Sequence, residues 1–273
     1  MKPLTLNLLL ATAVIGLGAV GLFLGETALT PGQFAQALAD PQSGPHLVIF
    51  DIRLPRTVAA LVVGGALGLA GAVMQGLLRN PLADPGVLGV SGGAGLGAAL
   101  AISLGLAATP GAIEASALGA ALAVGLLLTW LAARFREPET LILFGVAFSA
   151  FLGALTSLVF NLSPSPVTLS EVFGWLLGSV ANRDWDDIAR QLPAMGLGAV
   201  LCAYAARGLT MLTLGEETAA LSGLPTGRLR AAAVAGASLL TGASVAMAGI
   251  VGFVGLAAPH LVRAGSSGDP GRV

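Results

Sequence analysis

Seven long stretches of this chain carry no charge at all: Pro3 to Gly25, Thr57 to Leu78, Pro85 to Ile113, Ala115 to Ala133, Thr140 to Ser170, Gln191 to Ala206 and Ala231 to Val262. A helix that crosses the roughly 30 Å hydrocarbon core of a bilayer needs about 20 apolar residues, so runs of this kind read as membrane spans. The last run is too long for one crossing and carries Gly249, Gly252, Gly255 and Pro259. It divides into a full helix to about Ala248 and a short, broken one, which makes eight membrane elements. Glu171 to Val180, after the Pro164-Ser165-Pro166 break, is too short to span and reads as a half-helix or re-entrant piece buried in protein. The fold class is therefore all-α, a polytopic membrane helix bundle.

Composition excludes the other classes. Of 273 residues, 55% are hydrophobic and 10% charged, against roughly 25% charged in soluble domains, and the mean hydropathy is +0.88. So few charges cannot cover a soluble core of this size, which removes soluble enzymes and disordered proteins. A net charge of -1 offers no basic field to nucleic acid. Cys202 is the single cysteine, so no intrachain disulfide and no cysteine-based metal cluster is expected. The single lysine, Lys2, leaves no phosphate-binding Gly-x-x-x-x-Gly-Lys loop and no Schiff-base lysine in the body of the chain. If ATP drives this protein, another chain hydrolyses it; the chain itself reads as no enzyme and as holding no cofactor.

The first run, led by Lys2, also has the outline of a secretory signal. Its apolar part exceeds the roughly 7 to 15 residues of a signal core and no clear Ala-x-Ala site follows, which favours a span. With the N-terminus inside, alternating loops place Lys2, Arg79, Arg134, Arg136, Arg207, Arg228, Arg230, Arg263 and Arg272 inside, and Arg53, Arg56, Arg183 and Arg190 outside. That bias favours cytoplasmic N- and C-termini.

Glycine, at 39 residues, sits inside the apolar runs, as in Gly64-xxx-Gly68 and Gly92-Gly93-Ala94-Gly95-Leu96-Gly97, which suits closely packed transmembrane helices. The second run has neither the glycine spacing nor the βαβ context of a dinucleotide loop. A weak internal echo links Gly71-Ala72-Val73-Met74-Gln75-Gly76 with Gly242-Ala243-Ser244-Val245-Ala246-Met247-Ala248-Gly249. Each lies late in a helix that two arginines lead into, as internal repeats of transporters do, although chance similarity is equally open in so Ala/Gly-rich a chain.

Three connections stand out. Arg53-Leu54-Pro55-Arg56 puts two guanidinium groups at the outer start of the second helix, with Pro55 in its first turn. They project outward, either to snorkel among headgroups or to pair with carboxylates of an external partner. Arg79 to Val90 reads as a tight inner turn with two prolines and an Asx. The loop 207–230 is larger: Leu214-Gly215-Glu216-Glu217-Thr218-Ala219 to Gly223-Leu224-Pro225 has two acids opening a short helical stretch and Gly and Pro closing it. It is either a solvated connector or a helix inserted into a cytoplasmic partner.

Taken together, Arg53-Leu54-Pro55-Arg56-Thr57, Gly71-Ala72-Val73-Met74-Gln75, Asn80-Pro81-Leu82-Ala83-Asp84-Pro85-Gly86-Val87-Leu88-Gly89-Val90, Leu214-Gly215-Glu216-Glu217-Thr218-Ala219 and Gly252-Phe253-Val254-Gly255-Leu256-Ala257-Ala258-Pro259-His260-Leu261-Val262-Arg263 resemble the FecCD-type permeases of ABC importers for iron-siderophores, haem and cobalamin. The resemblance covers essentially the whole chain, five motifs in the family's order. It implies a single permease domain over 1–273, about eight transmembrane elements of a ten-helix importer fold, in a homo- or heterodimer whose path lies at the subunit interface, in a bacterial plasma (inner) membrane. It further implies an external substrate-binding protein docked on Arg53 and Arg56, and two cytoplasmic ATP-binding subunits. By resemblance, Gly215, Glu216, Glu217, Ala219, Gly223 and Pro225 belong to the coupling helices. Glu139 and Thr140 fall at the inner gate, and Asn161, Ser163 and Ser170 at the outer one.

His260, at the inner end of a short helix, lacks a second ligand nearby and reads as structural rather than as a metal ligand. Family members have ten spans, and the pattern at Asp269 to Val273 leads toward a ninth helix, so the sequence reads as a permease lacking its last two helices. Iron(III)-siderophore is the expected cargo because it is the family's commonest. A haem or cobalamin permease, or a non-transporting remnant, are the alternatives.

Overall fold

In a computed structural model, which describes residues 3–25, 27–135, 137–163, 165–213, 221 and 223–265, the chain is almost wholly helical. In order, the helices are α1 Pro3–Phe23, α2 Pro31–Ala39, α3 Gly44–His46, α4 Leu54–Leu78, α5 Val90–Ser103, α6 Ala112–Arg134, α7 Pro138–Asn161, α8 Pro166–Leu176, α9 Trp185–Thr213, α10 Thr226–Ala248 and α11 Val254–Gly265. A π-helical stretch, Leu47–Arg53, joins α3 to α4. Among the described residues six helices are long and apolar enough to cross a membrane: α1, the continuous helix ending at Leu78, α6, α7, α9 and α10.

Two of the eight expected elements are shorter than a crossing. The uncharged run Pro85 to Ile113 is not one span: α5 has 14 residues, about 21 Å of helix. Asp84-Pro85-Gly86 and a Gly89 with φ 103° hold the chain in turns until Val90. α11 has 12 residues. The half-helix also differs from expectation. It runs over Pro166–Leu176, starting at the prolines rather than after Ser170, because Ser165 caps it by accepting from the Thr168 N–H and Pro166 occupies its first position.

Pro55 does not open a free helix as the sequence suggested. The helix runs on from Gly44 through the π-helical stretch, where Leu54 N–H bonds the Ile49 carbonyl. A proline lacks the N–H that continues a helical ladder, and here the turn that leads into it is π-helical.

Close approach of small residues sets the centre. α10 packs on α9, α6 and α4, and buries seventeen residues from Leu229 to Ala248. α11 lies along α4, where a Cβ at Gly71 would collide with the carbonyl of Gly255. Van der Waals contact between backbones is the main attraction left to helices in lipid.

Contacts also give heights. Leu77 and Leu78 share a small cavity with Ala132, Phe135 and Leu141, which places the end of α4 at one end of the bundle. Gly89 instead lies beside Phe148, Ser149 and Leu152. Ser149 is three turns into α7, about 16 Å from its start at Pro138. The segment 79–89 therefore climbs from the end of the bundle to mid-height before α5 begins, and is not the tight inner turn expected. The unit recurs: α10 ends at Gly249, an irregular segment 249–253 follows, and short α11 begins. The echo between Gly71 and Gly242 onward thus sits in two structures of the same plan.

Replacing Gly71 by Val should cost at least about 1–3 kcal/mol, the usual penalty for overpacking, because the obstacle is backbone. Gly64→Ala should be nearly neutral, since no atom lies within 4 Å of the added methyl. Thermal unfolding of the two variants in detergent checks the contrast; equal melting temperatures would contradict the α4–α11 contact.

Candidate functional site

The two arginines that lead into α4 separate. Arg53 is buried, and its guanidinium turns inward: Nη1 donates to the carbonyls of Leu22 at 2.8 Å and Phe23 at 3.0 Å, and Nη2 to that of Thr27. These carbonyls include the last of α1, which no intrahelical N–H reaches. The expectation that Arg53 projects outward is corrected on this ground, since its fork of donors is filled by backbone. Arg56 is exposed and borders a groove of about 470 Å³ with Leu24, Thr57 and Val180.

The same end holds Arg183 and Arg190. Trp185 Nε1–H donates to the Phe50 carbonyl at 3.2 Å, tying the start of α9 to the lead-in of α4. Arg183 sits 3.6 Å from Asp187 and 4.0 Å from Glu114, and Arg190 3.4 Å from Asp187. Arg183 and Arg190 are thus neutralised locally, and Arg56 presents its charge to the surroundings.

Midway down the bundle the two irregular segments face each other across a cavity of about 300 Å³, bordered by Asp84, Val87, Ser91, Ile250, Phe253 and Leu256. Its walls are held by side chains that bond backbone groups, two locally and one from α7. Leu82 N–H bonds Asn80 Oδ1 at 2.9 Å, Gly86 N–H bonds Asp84 Oδ1 at 2.7 Å, and Ser149 Oγ on α7 donates to the Val87 carbonyl at 2.5 Å. On the opposite side the Ser179 N–H, just past α8, reaches the last carbonyl of α10, Ala248, at 2.6 Å. Gln75 Nε2 donates to the Leu256 carbonyl at 3.3 Å while its buried Oε1 has no hydrogen-bond partner. Phe253, a non-glycine at φ 66°, stands exposed at the mouth. Non-helical backbone at membrane depth is stable where protein covers it or where it lines a cavity, as here, and the N-termini of short helices at such breaks present unpaired N–H groups.

The residues expected at the gates form two separate sets. Glu139 is exposed in the first turn of α7 and Thr140 half-buried beside it, its N–H on the Glu137 carbonyl at 3.2 Å. At the far end of α7, Asn161 caps its own helix through Nδ2 to the Ser157 carbonyl at 2.8 Å. Ser163 Oγ bonds the Ser165 carbonyl at 3.3 Å, and Ser170 is exposed on α8. Along α7, Glu139 and Asn161 stand about 33 Å apart. Of the residues expected in the coupling segment, Gly223 is exposed at φ 79° and Pro225 precedes α10 directly. Gly215, Glu216, Glu217 and Ala219 lie outside the described residues. His260 lies beside Pro81, Leu82 and Leu256.

Asp84 and Ser91 were not singled out from sequence, though the Asx residues at 80 and 84, each followed by proline, carried a signal of structured backbone. Arg230 was counted only as an inner charge. It is buried, and its Nη1 donates to the Phe135 carbonyl at 3.0 Å.

Comparison with known proteins agrees with this architecture. The model of the FecCD transport family matches residues 9–273. The vitamin B12 import system permease protein BtuC of Salmonella typhimurium is 38% identical over 261 residues, 95% of this chain and 76% of that one. The uncharacterized ABC transporter permease protein YvrB of Bacillus subtilis is 41% identical over 222 residues, 79% of this chain and 62% of YvrB, so that match spans less than two thirds of the relative. Among solved structures, an inward-facing one assigned to the metal-chelate type of ABC transporter superposes with a TM-score of 0.84 at 29% identity, covering 99% of this chain and 84% of that one.

Arg53→Ala should destabilise the chain by roughly 2–4 kcal/mol, since charged hydrogen bonds are worth about 1.5–3 kcal/mol each and several are lost together. Arg56→Ala should leave stability unchanged. Unfolding curves, with protease cleavage between α1 and α2 as a second reading, check this; an Arg53→Ala as stable as Arg56→Ala would return Arg53 to the outer surface.

Proposed function

The chain belongs to the FecCD transport family, and we propose that it is a membrane-spanning permease subunit of an ATP-driven importer for a bulky metal chelate. What supports the reading most is the agreement of the whole helical arrangement with a transporter structure, together with two broken helices that meet at mid-height around a cavity. Its relatives are transport permeases rather than enzymes, and the chain has no phosphate-binding lysine motif, so the energy comes from separate ATP-binding subunits. A second permease copy or homologue completes the path, and an external binding protein delivers the cargo. The distribution of arginines orients both termini toward the cytoplasm of a bacterial inner membrane.

Within the chelate class, cobalamin leads: the 38% identity to a vitamin B12 permease is a specific observation, whereas the expectation of an iron(III)-siderophore rested on frequency in the family. The segment 207–230, with Gly223 and Pro225 at its end, is the coupling loop to the ATP-binding subunits. Glu139 and Thr140 lie at its side of the bundle as inner-gate residues, and Asn161, Ser163 and Ser170 line the outer approach. Arg56 is the docking residue for carboxylates of the binding protein, with Arg53 holding the surface from which it projects.

Reconstitution with cognate ATP-binding subunits and binding protein tests the reading. ATP-dependent accumulation of cobalamin is expected, and accumulation of a ferric hydroxamate instead would transfer the assignment to siderophores. Absence of uptake for either, with the complex assembled, would sink the importer reading. Arg56→Glu should weaken binding-protein docking by about tenfold at low salt and less at high salt, because an attractive pair becomes repulsive and ions screen both. Unchanged docking affinity would leave Arg56 as an interfacial snorkel.

A further inference from the structure

The cavity between the two irregular segments has a carboxylate on its border at membrane depth. Asp84 is half-buried there. Its Oδ1 accepts from the Gly86 N–H at 2.7 Å, and among the described residues Oδ2 has neither a hydrogen bond nor an ion pair. A methyl group added at Gly255 would stand 2.7 Å from Oδ2, so glycine in the first turn of α11 leaves this oxygen its room. Ionisable groups at such depth are costly, and those that persist face a cavity or a substrate path.

The facing backbone has the opposite need. Ile250, Val251, Gly252 and Phe253 all border the cavity, and among the described residues no oxygen accepts from any of their N–H groups. The Ser91 hydroxyl, in the first turn of α5, is also without a partner. Gln75, 2% exposed, donates to the Leu256 carbonyl and keeps Oε1 unused beside the same turn of α11. Backbone N–H groups at membrane depth are nearly always paired, so four in succession at a cavity of about 300 Å³ call for a bound acceptor. Next to them, Asp84 calls for a donor. A primary carboxamide answers both: its oxygen accepts from N–H groups and its NH2 donates to Oδ2. A carboxylate of the same outline also suits the N–H groups, but it sets a second negative charge against Asp84, which a low dielectric strongly disfavours.

Val87, on the same border, is held by Ser149, which stands about 15 Å along α7 from Glu139 and about 18 Å from Asn161. The cavity is therefore midway between the residues proposed for the inner and outer gates. We propose that Asp84, Ser91 and the backbone of 250–253 form a cargo subsite that takes a primary carboxamide on the rim of the chelate and turns away a carboxylate at the same position. The inference rests on the importer reading above and deepens it. Corrin rings carry acetamide and propionamide side chains, whereas haem carries propionates. Asp84 sorts chelates by the charge of their rim rather than by their metal.

Uptake into proteoliposomes holding the full complex tests this with cobalamin and its monocarboxylic acids, each with one propionamide hydrolysed. Every cargo is presented at neutral pH on binding protein saturated with it, so that the permease step is compared. At least one acid should be taken up about tenfold more slowly than cobalamin, as the juxtaposition of like charges requires. Equal rates for all of them in the unaltered protein overturn the proposal without any substitution. Asp84→Asn keeps an oxygen for the Gly86 N–H and removes the charge. It should bring cobalamin and that acid within about twofold of each other, chiefly by raising the rate of the acid. A merely structural role would lower both rates together and leave their ratio intact, which also overturns the proposal. Uptake of ferric hydroxamate with none of cobalamin defeats this inference alone. If the unaltered complex shows no ATP-dependent uptake of either, the importer reading fails and this inference with it.

Discussion

A peptide group that leaves a helix inside an apolar slab has no water to bond, and much of this structure is a response to that constraint. Where helices stop, polar side chains are found. Arg53 takes the end carbonyls of α1, Arg230 that of α6, and Ser149 the Val87 carbonyl just before α5. Asn80 and Asp84 close their own turns, and the Ser179 N–H covers the last carbonyl of α10. Polar side chains thus serve several of the breaks, while Ser238, Thr241 and Ser244 lie buried within α10 itself.

Small residues make the second half of the arrangement. α10 could not bury seventeen of its residues against α4, α6 and α9 if they were large. Alanine and glycine let three helices approach it at once, and the side chains that remain have little freedom to lose on packing. The centre is correspondingly rigid, while α7, almost unburied, presents Leu143, Val146 and Phe151 outward.

The spans were legible because a lack of charge over twenty residues has one common physical meaning, and the fold class followed from it. The breaks were less legible. Pro85, Gly86 and Gly89 are visible as helix breakers, but whether such a segment lies flat at the surface or climbs into the bundle depends on what α7 offers it, and Ser149 looks like any other serine of an apolar helix. The same holds for the arginines. Arg53 and Arg56 are three residues apart on one helix and identical in kind; only the position of the α1 terminus, some thirty residues earlier in the chain, makes one a clamp and leaves the other free. Pro166 and Ser165 did carry a capping signal that would have started α8 five residues earlier than expected. Long-range partners of short polar side chains are what a single sequence withholds.

The clamp at Arg53 has a consequence in time. α1 buries none of its spanning window within the bundle, and its polar tether is a side chain that leaves the ribosome about thirty residues after the carbonyls it holds. During synthesis α1 therefore leaves the ribosome before the side chain that holds its last carbonyls. Its place beside α4 is thus completed only when the lead-in of α4 has been made.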